Sequence, residues 1–268
     1  MDALFATRIL PAAALGVLAA VVSRRMRFLT TGGSVAAGFL AALLFGFGSW
    51  QWLLPMILFF VSSSLLSRIC EDLVPGASDL FEKGSERDAV QVLANGGAGA
   101  LLVVAAVRGE SGALYAAYLG SLAAAAADTW GTELGMLSRS RPRLITTFAP
   151  VPPGTSGAVS AAGLFGALAG AALMAACGLA WTGQASSLIP PAVAAGGMAG
   201  AMLDSLLGAT LQAHYRCGVC GARTERRTHC AAEARLDRGY RWLTNDGVNV
   251  VCNAAGALLG FFLAAAAM

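Results

Sequence analysis

Between Arg143 and Asp204 the chain runs for 60 residues without a charged side chain. A helix crosses a bilayer in about 20 consecutive apolar residues, so this stretch alone is long enough for two crossings. Further charge-free runs cover residues 28–67 (40 residues), 247–268 (22), 89–107 (19) and 111–127 (17). Apolar residues make up 57% of the 268 and charged residues only 12%. A soluble domain carries roughly 25% charged residues, and a soluble globule of this size could not cover its surface with half that share. The same numbers exclude disorder. A formal net charge of +3 is not the basic footprint of a nucleic-acid binder. The chain reads as a polytopic membrane protein in contact with the lipid bilayer.

Cutting the two longest runs at 46–51 and 181–191, where turn residues and Trp collect, gives eight segments. They lie near 4–22, 33–49, 51–67, 88–107, 112–137, 157–181, 189–213 and 246–267. Continuous apolarity selects helices, because barrel strands alternate and are shorter. The expected fold is an all-α transmembrane bundle of about eight spans, one membrane domain over 1–268, with 214–245 a Cys- and Arg-rich loop before the last span. Eight spans place 23–32, 68–87, 138–156 and 214–245 on one side, and these loops hold sixteen of the eighteen basic residues. Only Arg8 and Arg108 fall elsewhere. The positive-inside rule then puts the four loops in the cytoplasm and both termini outside, as for a multi-pass protein of a bacterial-type inner membrane. The arginines follow the first apolar stretch, the reverse of a signal peptide.

Ionisable groups inside a bilayer are costly and are functional candidates by default. Asp88 and Asp246 open the fourth and eighth segments at the cytoplasmic mouth. Asp128 and Asp204 each lie about nine residues from the cytoplasmic end of a segment, roughly 12–14 Å deep at the helical rise. Four carboxylates from four helices thus converge on one leaflet, which points to a shared polar site. Asp88, Gln91 and Asn95 are spaced i, i+3, i+7 on one helix face; Asp246, Asn249 and Asn253 repeat the spacing, and Gly-Ala-Leu-Leu follows each set. Asp204 interrupts a row of Gly196, Gly200, Gly208 and Gln212, and Asp128 shares a face with Gly131, Thr132 and Gly135. Small residues at such steps also serve helix packing alone.

Carboxylates with amide side chains are hard oxygen donors suited to Mg²⁺ shared with substrate phosphates. Arg143, Thr146 and Thr147, followed by Gly154, Thr155, Ser156 and Gly157 at the start of the sixth segment, read as an anion site at a helix N-terminus or as a capped turn. No Walker-type loop and no His/Ser catalytic pair is present, so a nucleotide must be held differently from a P-loop enzyme. Cys217-x2-Cys220 and His229-Cys230 form a Cys₃His set of zinc type with a spacing shorter than a standard finger. A structural Zn²⁺, a redox pair and unrelated thiols all remain open, while a disulfide does not suit a reducing face. Cys70, Cys177 and Cys252 read as small apolar fillers.

The run Arg87-Asp88-Ala89-Val90-Gln91-Val92-Leu93-Ala94-Asn95-Gly96-Gly97 resembles the signature of the integral-membrane phytyl-phosphate kinase family. That family was long catalogued as of unknown function; it includes prenyl-phosphate kinases of plastids and cyanobacteria and an animal transmembrane relative. Residues 127–135, 142–147, 154–157, 203–210 and 245–249 also match, in order, so the resemblance spans roughly 28–265. Residues 128–156 more faintly resemble the pattern of CTP-using dolichol, phytol and diacylglycerol kinases. Gly131 stands where Ala is often found, and the Cys cluster is not a feature of the plant members. The resemblance implies transfer of the γ-phosphate of CTP, or another nucleoside triphosphate, to a prenyl monophosphate such as phytyl or geranylgeranyl phosphate.

On that reading Asp128, Asp204 and Asp246 hold Mg²⁺. Arg87, Arg143, Thr146, Thr147, Gly154, Thr155 and Ser156 hold phosphate, and Asp88, Asn95, Glu133, Asn249 and Asn253 complete the polar lining. It leaves a homodimer open. The rivals are an ion-coupled transporter, which also suits repeats and glycine-lined helices, and a cytidylyltransferase acting on a lipid phosphate. The confinement of every candidate group to one leaflet speaks against alternating access.

Overall fold

The protein, described by a computed structural model for residues 3–74, 86–109, 112–138, 141–180 and 186–266, is an all-α polytopic membrane bundle. Lys83, Arg139 and the 181–185 part of the expected break lie outside the described residues. In chain order the helices are α1 (Ala3–Arg25), α2 (Thr31–Leu73), α3 (Ala89–Ala106), α4 (Gly112–Leu137), α5 (Ala161–Cys177), α6 (Ile189–Thr210) and α7 (Asn245–Ala265). Six of them are long and apolar enough to cross a membrane.

Two expected spans fall within the 43 residues of α2. A straight helix of that length would measure roughly 65 Å, twice the hydrocarbon thickness. It is broken at Ser49, whose φ of 62° and ψ of −162° are not helical. Contacts at the far ends show that the two halves fold back on each other. Phe28, just before α2, meets the Phe60 ring at 6.0 Å between centroids, and the Arg68 guanidinium lies 4.5 Å over the Phe28 ring. Pro55 has no N–H and so leaves the Gln51 carbonyl without its helical donor. The Tyr115 hydroxyl donates to that carbonyl at 3.1 Å, and Tyr118 donates to the Trp52 carbonyl. The break is thereby held by α4.

α4 is the hub, packing against α2, α3, α5, α6 and α7. Residues 112–127 are buried apart from the half-buried Leu114, and Ala fills 123–127. Small residues let backbones approach closely where no hydrophobic force drives helices together in lipid. A Cβ on Gly120 would sit 2.5 Å from the Gly256 carbonyl oxygen of α7; one on Gly170 of α5 would sit 2.6 Å from the Ala126 carbonyl oxygen. α1 packs chiefly on α2 and leaves Leu10, Val17 and Leu18 exposed, as a helix facing lipid does.

Two β-bearing connections lie at the ends of α4 and α6. The first pairs β1 (Arg143–Leu144) with β2 (Ala158–Val159). The second, expected only as a loop, contains β3 (His214–Arg216), β4 (Arg223–Thr224), β5 (Thr228–His229), β6 (Ala232–Glu233) and β7 (Arg235–Arg238). Its three-stranded sheet runs β4-β3-β7, beside a β5–β6 hairpin. The Arg238 guanidinium donates to the Ala209 and Gly208 carbonyls at 2.9 and 3.0 Å, a cation on the negative end of α6.

Candidate functional site

The glycine rows place the carboxylates. Gly131 and Gly135 lie against Gly163 of α5, Gly196 against Gly256 of α7, and Gly200 against Ala124 and Cys252. Such close crossings bring α4, α6 and α7 together at the level of Asp128, Asp204 and Asp246. All three line a cavity of about 260 Å³. Asp128 and Asp204 lie within hydrogen-bond reach of each other, and the Cys252 thiol reaches Asp204. Two carboxylates this close repel unless a cation or a proton lies between them. Asp204 Oδ2 is buried and has no hydrogen-bond partner among the described residues.

The cavity is acidic. Glu71, Asp128, Glu133, Asp204, Glu225 and Asp246 line it, against Arg87 as the basic lining residue among those described. Arg87 is fixed through its backbone, which donates to the Phe28 carbonyl and accepts from Thr30 N–H, both at 3.1 Å. Its guanidinium interacts with Glu133 and Asp128. Gln91, Asn95 and Asn249 complete the polar wall. Met136, Leu164, Ala167 and Met202 form an apolar wall, and Leu164 remains 40% exposed on the outside of α5.

The 154–156 turn reaches the cavity, but not as the first turn of a helix. α5 begins at Ala161, and Ser160 is its cap, accepting from Gly163 N–H at 3.1 Å. Gly154, Thr155 and Ser156 line the wall from the loop before it. Gly157 follows with φ +79°, where a Cβ would fall 2.5 Å from the Ala209 backbone nitrogen and 2.6 Å from the Ser205 carbonyl. The turn is pressed onto α6, and Ser156 Oγ donates to Gln212 Oε1 at 3.2 Å.

Other expected residues lie elsewhere. Arg143, Thr146 and Thr147 are exposed and outside the lining. The β1–β2 pairing leaves them on the outer turn, where Arg143 donates to the Phe148 carbonyl at 2.8 Å and Thr147 Oγ1 accepts from Ala149 N–H at 3.3 Å. Asp88 is the cap of α3, accepting from Gln91 N–H at 2.9 Å while Gln91 Oε1 accepts from Asp88 N–H at 3.2 Å. Asn253 is buried one layer behind the cavity, donating to the Ala94 carbonyl and to Asn95 Oδ1, both at 3.1 Å. Glu71, Ser67, Ser205 and Glu225 line the cavity without having been singled out by sequence. Ser205 follows Asp204, a usable signal; Glu225 arrives through the fold of the β-bearing insert, for which spacing gives none.

The Cys/His set does come together. The ligand atoms of Cys217, Cys220, His229 and Cys230 all lie within 4.8 Å of one another. His229 Nδ1 is 3.5 Å from the Cys220 sulfur and 3.2 Å from the Cys230 sulfur. Backbone N–H groups of Cys220 and Val219 hold the Cys217 thiol down at about 6, and the Cys220 side chain pushes Cys230 up to about 11.

Residues 14–257 match the family of integral membrane proteins designated DUF92. The chain belongs to this family. It is 33% identical to Protein PGR of Arabidopsis thaliana over 91% of this chain and 92% of that protein. It is 30% identical to an uncharacterized membrane protein of Methanocaldococcus jannaschii, over 91% and 89% of the two chains. A third relative, an uncharacterized membrane protein of Synechocystis, is 28% identical over 93% and 87%. No solved structure matches. Asp128, Asp204, Asp246 and the Cys/His set all fall within the DUF92 match.

Proposed function

We propose that this DUF92 protein is a nucleotide-dependent prenyl-phosphate kinase, with the cavity at the cytoplasmic end of the bundle. What carries the reading is one cavity that joins three aspartates from three helices, a glycine-hydroxyl turn and an apolar wall reaching the outside of α5. The first suits a divalent cation, the second a phosphate, and the third a lipid tail.

The donor set fits Mg²⁺. It offers only hard oxygens, the Asp128 and Asp204 carboxylates are in contact, and Asp204 Oδ2 is buried without a donor. A polyanionic nucleotide would be repelled by six carboxylates facing one arginine unless divalent cations came with it. When bound, Mg²⁺ would neutralise phosphate charge that develops during transfer.

The rest of the work falls to the chain. Asp128, Asp204 and Asp246 hold the cation, and Arg87 and the 154–156 turn orient phosphate oxygens. Asn95, fixed by Asn253, and Asn249 supply neutral polar contacts. The tail of the acceptor lies along Met136, Leu164 and Met202. An oxygen of the prenyl monophosphate attacks the γ-phosphorus of CTP; the new P–O bond forms as the bond to the β-phosphate oxygen breaks, and CDP leaves with that electron pair. The acceptor is already an anion, so no strong base is required, and positioning and charge compensation carry the rate.

The test is purified protein in detergent with Mg²⁺, labelled CTP and phytyl or geranylgeranyl phosphate. The expected products are prenyl diphosphate and CDP. Pyrophosphate release instead would indicate a lipid-phosphate cytidylyltransferase. The kinase reading fails if no nucleotide yields a diphosphate and an ion flux survives Asp128→Asn.

A further inference from the structure

The insert between α6 and α7 has too little apolar core to hold itself. Among the described residues its buried apolar cluster is Ala213, Tyr215 and Ala234. Units this small are usually held by a staple such as a metal or disulfide. All the cysteines are free, whereas Cys217, Cys220, His229 and Cys230 present their ligand atoms within 4.8 Å of one another. Tetrahedral zinc ligands at 2.0–2.3 Å from the metal sit roughly 3.5–3.8 Å apart, which the 3.2 and 3.5 Å contacts to His229 approach. The turn carrying the first pair is shaped for thiolates. Val219 N–H donates to the Cys217 sulfur at 3.4 Å, and Gly221, at φ +74°, donates its N–H to the Cys217 carbonyl at 3.0 Å.

Glu225 lies inside the segment that these ligands close, five residues after Cys220 and four before His229. It also lines the aspartate cavity and acts electrostatically on Asp204. We propose that Cys217, Cys220, His229 and Cys230 bind a structural Zn²⁺ that pins the 220–229 segment and so holds Glu225 in the cavity wall as a positioning residue for the cation held by Asp128, Asp204 and Asp246. The zinc stands independently; the link to Glu225 rests on the cation-binding reading of the cavity. Closing the segment at both ends removes loop freedom that the two-residue strands β4 and β5 do not remove.

The experiment uses the full chain in detergent. Elemental analysis is expected to find one zinc per chain, lost in Cys220→Ser and retained in Glu225→Gln, and Co²⁺ is expected to replace it with the visible bands of tetrahedral thiolate coordination. Mn²⁺ binding to the cavity, followed by electron paramagnetic resonance, is then compared in three forms. Glu225→Gln and zinc-stripped protein are each expected to bind Mn²⁺ about tenfold more weakly, with no further loss when both are combined. Substoichiometric zinc in freshly purified protein that also refuses Co²⁺ overturns the zinc site. Equal Mn²⁺ affinity with and without zinc, or an unchanged affinity in Glu225→Gln, overturns the coupling. Mn²⁺ failing to bind any form overturns the cavity reading and leaves the zinc count standing, so the two failures are distinguishable.

Discussion

α3 and α7 carry the same spacing of polar residues, yet they use it differently. In α3, Asp88 is itself the cap and accepts from Gln91 N–H. In α7, Thr244 holds the cap position with φ −81° and ψ 174°, and Asp246 enters the first turn, buried and facing the cavity. A start displaced by two residues turns one aspartate into the cap that opens a helix and its counterpart into a cavity-lining residue. The third positions differ as well. Asn95 lines the cavity while Asn253, donating to it, lies behind. Sequence similarity between two halves of a chain therefore does not imply equal roles, because helix phase relative to the cap decides which face a side chain occupies.

Four tests bear on this contrast. The largest effect is expected for Asp246→Asn, a fall in the proposed phosphate transfer of about 10²–10³-fold with an unchanged unfolding midpoint; Asp88→Asn, which keeps a good cap, should leave that rate within a few fold. Comparable losses in the two variants would erase the distinction. Next is Asn253→Leu, which leaves the Ala94 carbonyl and Asn95 Oδ1 without a buried donor, at about 1–3 kcal/mol; unfolding in mixed micelles reads this, and substitution of the exposed Thr147 should not reproduce it.

The glycines after each motif come third. A Cβ at Gly256 would meet the Gly120 carbonyl at 2.6 Å and the Gly196 carbonyl at 3.2 Å, two fixed backbones, whereas one at Gly99 would meet the Tyr118 ring at 2.8 Å. Gly256→Ala should cost more than Gly99→Ala, both within the ~1–3 kcal/mol of overpacking, and the reverse order of unfolding midpoints would contradict the account. Smallest is Asp88→Ala, a lost cap worth about 1 kcal/mol, measurable as a lower unfolding midpoint with transfer retained.

Much of this arrangement was legible from the chain. Charge-free runs located the helices to within a few residues, because the bilayer leaves few alternatives for an apolar backbone. The break at Ser49 fell where Gly and Trp gather. Helical periodicity put Asp128, Asp204 and Asp246 in one cavity. What spacing could not convey was backbone direction in irregular segments. The β1–β2 pairing turned Arg143, Thr146 and Thr147 outward, and Ser160, not a residue of the 154–157 turn, became the cap of α5. The five strands after α6 were equally hidden, since two-residue strands carry no periodicity, and Glu225 was hidden with them.

α4 is the most enclosed helix and yet, by composition, not one of the six apolar enough to cross a membrane unaided. Its tyrosines and serine are buried against other helices and its aspartate and glutamate face the cavity, which a translocon reading one segment at a time cannot register. α4 should therefore enter the bilayer poorly by itself and be retained only once α2 and α3 can receive it, with α5, α6 and α7 closing over it afterwards. Order of synthesis then becomes a constraint on the architecture: the hub of the bundle is also its most dependent part during biogenesis.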